Sequence, residues 1–365
     1  MGTCTFRSFP MNVIATPRDY GLLGRDAKIA EEMGLASAQW YQCPLPRKRL
    51  KELMLRKDGP AIRDTLIWFA SFLISGGLAY FFWPSWLAFP FFIIYGVLYG
   101  SSTDSRWHEC GHGTAFKTRW MNDAIYHMAC FMIMREPTVW RWSHTRHHTD
   151  TIIVGRDPEI AVMRPVMILK VISMFFAIPQ TIAAIKSMLR HATGRLGAEE
   201  ATFIPEMERS RVYVVARIWL VIHFTIIAVA IYSGSILPML FVGPLPAMYG
   251  AWVHVTTGIT QHGGLAEDVL DHRLNSRTVY MNPVLRFIYW NMNYHIEHHM
   301  FPMVPYHALP ALHQDLLPYM PKPCASVFDA YREIIPALWR QRKEPGWCIE
   351  RKLPPGAVPV VAAME

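Results

Sequence analysis

Residues 65–103 read TLIWFASFLISGGLAYFFWPSWLAFPFFIIYGVLYGSST, without one charged side chain. A hydrocarbon core about 30 Å thick needs roughly 20 apolar residues at about 1.5 Å rise each. Pro84 and Ser85 divide the stretch into two lengths close to that, 65–83 and 86–103, joined by a turn too short for anything but a tight helical hairpin. A second pair follows at 212–232 and 236–253, separated only by Ser233, Gly234 and Ser235. The pattern predicts an all-α integral-membrane fold built on two transmembrane hairpins, four spans in all. Pro238, Pro244 and Pro246 predict a kinked last span, its freed carbonyls met by neighbouring helices.

Charge sets the orientation. Before the first hairpin stand Arg7, Arg18, Arg25, Lys28, Arg47, Lys48, Arg49, Lys51, Arg56, Lys57 and Arg63, which the positive-inside rule places in the cytoplasm. With even-numbered spans the N-terminus, the middle segment and the C-terminus share that side. Three regions follow: a cytoplasmic segment 1–63, a membrane and metal-binding domain 64–313, and a cytoplasmic segment 314–365 whose Pro- and Ala-rich tail after Leu353 is expected to be mobile. The segment 160–185 is apolar but interrupted by Arg164, Pro165, Lys170 and Pro179, and reads as a helix lying in the interface.

Composition agrees with a membrane protein. Of 365 residues 52% are hydrophobic and 18% charged, against roughly 25% charged in a soluble domain. The net charge of +8 is accounted for by topology and does not mark a nucleic-acid binder. Six cysteines show no C-x-x-C pair, which excludes a zinc ribbon or a rubredoxin-type site and suits free thiols in a reducing compartment. The first twenty residues lack a signal-peptide core, and Phe6 breaks the myristoylation pattern, so insertion is expected to use internal segments.

Sixteen histidines include three tight clusters, His108-Glu-Cys-Gly-His112, His144-Thr-Arg-His147-His148 and His295-Ile-Glu-His298-His299, all on the predicted cytoplasmic side. On a helix, residues three and four apart share a face, so each cluster can aim two or three imidazoles at one point. Imidazole binds several transition metals and does not choose among them. Eight ligands exceed what one ion accepts and suit two. His262, in the position after the second hairpin that corresponds to His108 and His112, is a ninth candidate, and His254 a weaker tenth. His127, His191, His223, His272, His307 and His313 read as packing or surface residues.

Two rivals use part of this set. His108-Glu109-x-x-His112 satisfies the zinc-protease pattern H-E-x-x-H, with Glu109 as general base, but strands the other clusters. A membrane haem protein would need its histidines within the spans.

With these residues in view, the chain resembles the integral-membrane fatty acid desaturases and related hydroxylases, which carry three histidine boxes of this spacing. Gly155-Arg-Asp157-Pro158 and Asn293-Tyr-His-Ile-Glu-His-His-Met-Phe-Pro302 strengthen the likeness, which covers about 65–310. The chain departs from common subgroup patterns at His295, where many acyl-lipid members have Gln, and at Gly258, where acyl-CoA members have Asn. The resemblance implies a di-iron centre held by His108, His112, His144, His147, His148, His262, His295, His298 and His299 below a four-helix stem, with O2 as co-substrate. It implies desaturation of a fatty acyl chain, or hydroxylation of another apolar or small organic molecule. Carboxylates Asp157, Glu109 and Glu297 are expected to receive imidazole N–H groups, Asp157 foremost. No cytochrome b5 H-P-G-G motif and no cysteine pairs occur, so electrons would come from a separate donor of ferredoxin, rubredoxin or cytochrome b5 type. The basic residues Arg47, Lys48, Arg49 and Lys51 suit such docking. Trp107, Trp140, Trp142, Trp290 and Tyr294 adjoin the boxes as lining for a substrate passage, with access expected between the kinked fourth helix and the first hairpin.

Overall fold

The computed structural model describes residues 18–36 and 39–355, so Cys4, Arg7, the leader reading and nearly all of the tail fall outside the described residues. The described chain is helical, with isolated bridges in place of strands. Helix α1, Asp58–Phe81, runs 24 residues, about 36 Å at the α-helical rise. Asp58 in its first turn accepts from the backbone N–H and hydroxyl of Thr118 at 2.9 and 2.8 Å, which ties the foot of the helix to the segment that precedes the helix Arg119–Met132. Leu66, Leu73, Ile74 and Phe81 point outward from the fold, the face a bilayer would cover.

The chain returns through Ala88–Gly96 (α2), a π-turn at Val97–Ser101 and Ser102–Gly111 (α3). The π-turn adds a residue to the helical repeat and re-aims everything after it, including His108 and His112. Helices Arg119–Met132 (α4) and Pro137–Thr149 (α5) pack beside α3, and α5 carries the second histidine cluster. Glu136 caps α5 by accepting from the Val139 N–H at 2.7 Å.

The segment read as one interfacial helix is in pieces. Residues before 168 are irregular, and Ile168–Met174 (α6) meets Ile178–Ala192 (α7) at a 77° bend. The left-handed Ala177, φ 49°, makes the corner. Arg164 turns inward to Glu267 at 3.1 Å. The 28-residue α8, Glu206–Ser233, is the second long apolar helix and ends at a left-handed Gly234. Arg217 on α8 donates to the Ala192 carbonyl at 3.0 Å, closing the end of α7.

The expected fourth span is likewise broken, into Leu237–Phe241 (α9), Pro244–Gly250 (α10) and Trp252–His262 (α11). The break falls at Gly243, whose φ of +100° suits glycine, and Pro244 starts the next helix where its missing N–H costs nothing. By length and composition, the run Arg47–Phe81 and α8 can each cross a membrane singly, and α6 with α7 only as a bent pair.

The two returning arms meet closely. A methyl group on Gly250 would overlap the Gly96 backbone, and one on Gly96 the Tyr249 ring. Tyr95 donates to the Phe241 carbonyl at 2.7 Å, and Gly243 N–H to the Tyr99 hydroxyl at 3.0 Å. Small residues allow this approach. The expected substrate access at that crossing is therefore packed shut. The main core buries Tyr126, Met292, Leu309 and Leu312.

Candidate metal centre

Four stretches of chain converge here. The short helix His295–Met300 (α12) is buried at every position and lies against the ends of α3, α5 and α11. The nine predicted histidines fall into two groups, His108, His112, His144, His148 and His298 in one, and His147, His262, His295 and His299 in the other. Within each group the ligand nitrogens lie within 4.8 Å of one another. The division follows helix geometry. The i,i+4 pairs His108/His112, His144/His148 and His295/His299 each stay together, while His147 and His298 sit on the adjacent face and cross to the other group. His254 belongs to neither group; its backbone N–H is held by Ser101 Oγ at 2.9 Å.

The rings point their Nε2 atoms inward. His108 meets His298 at 2.7 Å, and His144 meets His112 at 3.0 Å and His148 at 3.1 Å. In the second group His295 meets His262 at 3.1 Å and His299 at 3.0 Å. The opposite nitrogens face acceptors. His147 Nδ1 lies 2.8 Å from Asp157, His144 Nδ1 3.1 Å from Glu159 Oε2, and His262 Nδ1 2.8 Å from the Asn275 carbonyl. Thr151 donates to the His147 carbonyl at 2.6 Å and so presents a lone pair to His299 Nδ1 at 3.2 Å. An imidazole that donates through Nδ1 offers a lone pair at Nε2. Facing lone pairs repel unless a cation lies among them. Nitrogens about 2.0–2.1 Å from a transition metal sit roughly 3 Å apart at right angles, which the inward distances match. The donor set fits two metal ions.

Electrostatics favour neutral, metal-ready rings. Burial, then the neighbouring imidazoles, pushes His108, His144, His148, His295, His298 and His299 well below the usual histidine range. His112 is lowered to about 4 and His262 to about 3 by the same causes. At His147 burial opposes the charged form, but Asp157 outweighs it and the direction is upward.

The predicted carboxylates divide. Asp157 reaches His147 and also accepts from the backbone of Ile152 and Glu159, each at 2.8 Å. Glu109 faces Thr114 Oγ1 at 2.7 Å and the Tyr306 N–H at 3.0 Å, and not a ring of the nine. The histidines on either side of it, His108 and His112, are pooled with three others, and among the described residues no carboxylate joins that group, which is not the ligand set of an H-E-x-x-H protease. Glu297 holds Thr278 Oγ1 at 2.6 Å and His313 Nδ1 at 2.5 Å, a histidine read as isolated. Glu159, on His144, went unnoticed in the sequence, although it stands two residues after Asp157 in the same turn. Trp107 packs edge-on to His144 at 5.2 Å, and Arg135 lies over Trp107 and Trp140. Trp290 instead stacks on Tyr306, away from the rings.

A fatty acid desaturase profile matches residues 84–331, more than half of the chain. The chain belongs to the fatty acid desaturase family, a class of oxidoreductases. It is 31% identical over 102 residues to the sn-1 acyl-lipid omega-3 desaturase (ferredoxin) of Nostoc sp. (strain 36), covering 27% of this chain and 28% of that protein. The Delta(12)-acyl-lipid-desaturase of Punica granatum is 30% identical over 95 residues, 25% of this chain and 22% of that one. The acyl-lipid omega-3 desaturase (cytochrome b5), endoplasmic reticulum, of Arabidopsis thaliana is 22% identical over 222 residues, 55% of this chain and 56% of that one. The matches thus span from about a fifth to about half of the length of these relatives.

Proposed function

We propose that this protein is a membrane desaturase that introduces a double bond into a fatty acyl chain, using O2, two iron ions held by the nine histidines, and electrons from a separate carrier protein. The observation that carries the reading is the sorting of nine imidazoles into two groups with inward lone pairs. Iron held there would supply the oxidising power to remove hydrogen from an unactivated methylene, which no side chain can do. The chain's own residues prepare the ligands. Asp157 and Glu159 fix the tautomer and orientation of His147 and His144, the Asn275 carbonyl does the same for His262, and Thr151 for His299.

The reaction balances when two substrate hydrogens, O2, two electrons and two protons give an alkene and two waters. The two ferredoxin- and cytochrome b5-dependent relatives support a donor of one of those types. The basic residues ahead of α1 and the pairing of each long helix with a returning arm support four spans with both termini and the site in the cytoplasm.

The test is product analysis by mass spectrometry, with iron-loaded protein in bilayers given an acyl lipid, reduced ferredoxin and labelled dioxygen. Loss of two mass units with no label supports the proposal. Gain of one labelled oxygen makes the protein a hydroxylase, and active preparations without iron overturn the metal assignment.

A further inference from the structure

An aromatic column leads from the protein surface to one histidine of the four-membered group. The chain after residue 39 lies across the cluster: Tyr41 N–H donates to the Leu270 carbonyl at 2.9 Å, and Cys43 N–H reaches Met300 Sδ at 3.3 Å. Trp40 begins this strap. Its indole N–H donates to the Thr149 carbonyl at 2.9 Å, at the end of α5, and the residue is partly exposed. The indole lies flat on His272, with ring centres 4.2 Å apart and planes within 3°. His272 in turn stacks on His299, centres 5.0 Å apart and planes 30° apart. His272 and His299 are 2% and 3% exposed. The His272 ring lies between these two stacked neighbours, and a side-chain hydrogen bond with Asn275 also steadies it.

A packing role would require apolar contact but not two successive face-on π contacts ending on a buried imidazole. Electron tunnelling falls steeply with distance and favours contiguous contacts over gaps. His299 is buried, as are His147 and His295, and of the group only His262 is partly open, so a carrier protein can reach His299 only through an intervening ring. We infer that Trp40, His272 and His299 form the path by which electrons reach the metal pair, and that the donor, a small one-electron iron–sulfur protein, docks over Trp40. In each transfer the donor is oxidised by one electron and the metal pair is reduced by one, and two transfers serve each O2. The inference rests on the proposed di-iron reading.

Stopped-flow reduction of the iron-loaded, bilayer-embedded protein tests it, with a reduced [2Fe–2S] ferredoxin and, separately, dithionite as electron source. Trp40→Leu should slow reduction by ferredoxin at least tenfold while iron content and reduction by dithionite stay as in the wild type. Trp40→Phe, which keeps a stacked ring, should recover most of the ferredoxin rate, and Trp120→Leu, at an exposed site on α4, should change neither. Equal ferredoxin rates in Trp40→Leu and wild type overturn the path, as does parallel slowing with both reductants, which marks a structural role. A measurement on the metal-free wild type is independent of the variants. Oxidised ferredoxin should protect residues 39–41 and Thr149 from hydrogen exchange or cross-linking, and a footprint elsewhere overturns the docking site. If the wild type itself binds no iron, the di-iron reading fails and not the path alone.

Discussion

The two histidine groups are built from the same side chain but supported differently. In the four-membered group three rings have a partner on the outer nitrogen, Asp157 on His147, the Asn275 carbonyl on His262 and Thr151 on His299. In the five-membered group, among the described residues, only His144 does, through Glu159, while Nδ1 of His148 and of His298 is buried without a partner. Two rings of the five-membered group, His112 and His148, are also partly open, against one, His262, in the four-membered group, where His147, His295 and His299 are buried. Outer hydrogen bonds fix ring orientation and raise ligand basicity. The four-membered group should therefore be the more rigid and tighter site, and the five-membered group the more accessible one.

The harshest way to break this contrast is His147→Ala, which deletes a proposed ligand and takes from buried Asp157 its one imidazole partner, leaving the two backbone N–H groups of Ile152 and Glu159. Iron should fall to at most one per chain, with turnover at the level of metal-free protein, as read by elemental analysis and product assay. Next, chelator should remove iron in two phases, the first from the five-membered group, and the melting temperature should fall with each, because metal bound only to the folded chain stabilises it by mass action. A single phase would show that the two sites are equivalent. Asp157→Asn should cost about 10- to 100-fold in metal affinity or activity, the range for loss of a ligand's outer partner. Its loss should fall on the slower chelation phase.

What the sequence disclosed follows the same physics. Eight of the nine histidines were legible because helical spacing puts residues three and four apart on one face, and His262 because it follows the second hairpin as His108 and His112 follow the first. Their partition was legible in principle, since an i,i+4 pair stays together while the remaining ring of each His-x-x-His-His box turns to the adjacent face. It was missed because facing helices must be placed before a face means anything. Asp157 was readable beside its cluster. Glu297 was readable as a partner for an imidazole, though not that the ring would be His313, and Glu159 was not readable, because a turn decides which carboxylate reaches a ring: Asp157 Oδ1 accepts the Glu159 N–H at 2.8 Å and so aims Glu159 at α5. The first long arm of each hairpin was legible from apolar length. The second arms were blurred by the π-turn and by Gly243, whose effects depend on the close Gly96–Gly250 crossing.

Glu159→Gln sharpens the comparison with a milder change. Burial pushes the Glu159 carboxyl up to about 7, with His147 as the main opposing influence. Gln keeps an acceptor for His144 Nδ1 while removing the carboxylate's charge. Its cost should be about tenfold or less, the low end for such partners, and confined to the faster chelation phase. A larger loss than in Asp157→Asn would invert the proposed ranking of the two sites.

His313→Gln should have the smallest effect on metal binding and, unlike the others, should touch both groups alike. Glu297 lies between His295 and His298 on α12 but binds no metal-facing ring. With His313 at 2.5 Å and Thr278 at 2.6 Å it anchors the helix, and Tyr280 holds the far side of His313 at 3.0 Å. Removing the imidazole leaves a buried carboxylate short of one partner, a cost of about 1–3 kcal/mol in stability. Because α12 sends His298 to one group and His295 and His299 to the other, any loosening is shared. Both chelation phases should accelerate by a similar small factor while their order is kept. A change confined to one phase would mean that Glu297 acts on a single ring, and that the two groups are coupled less through this helix than its position implies.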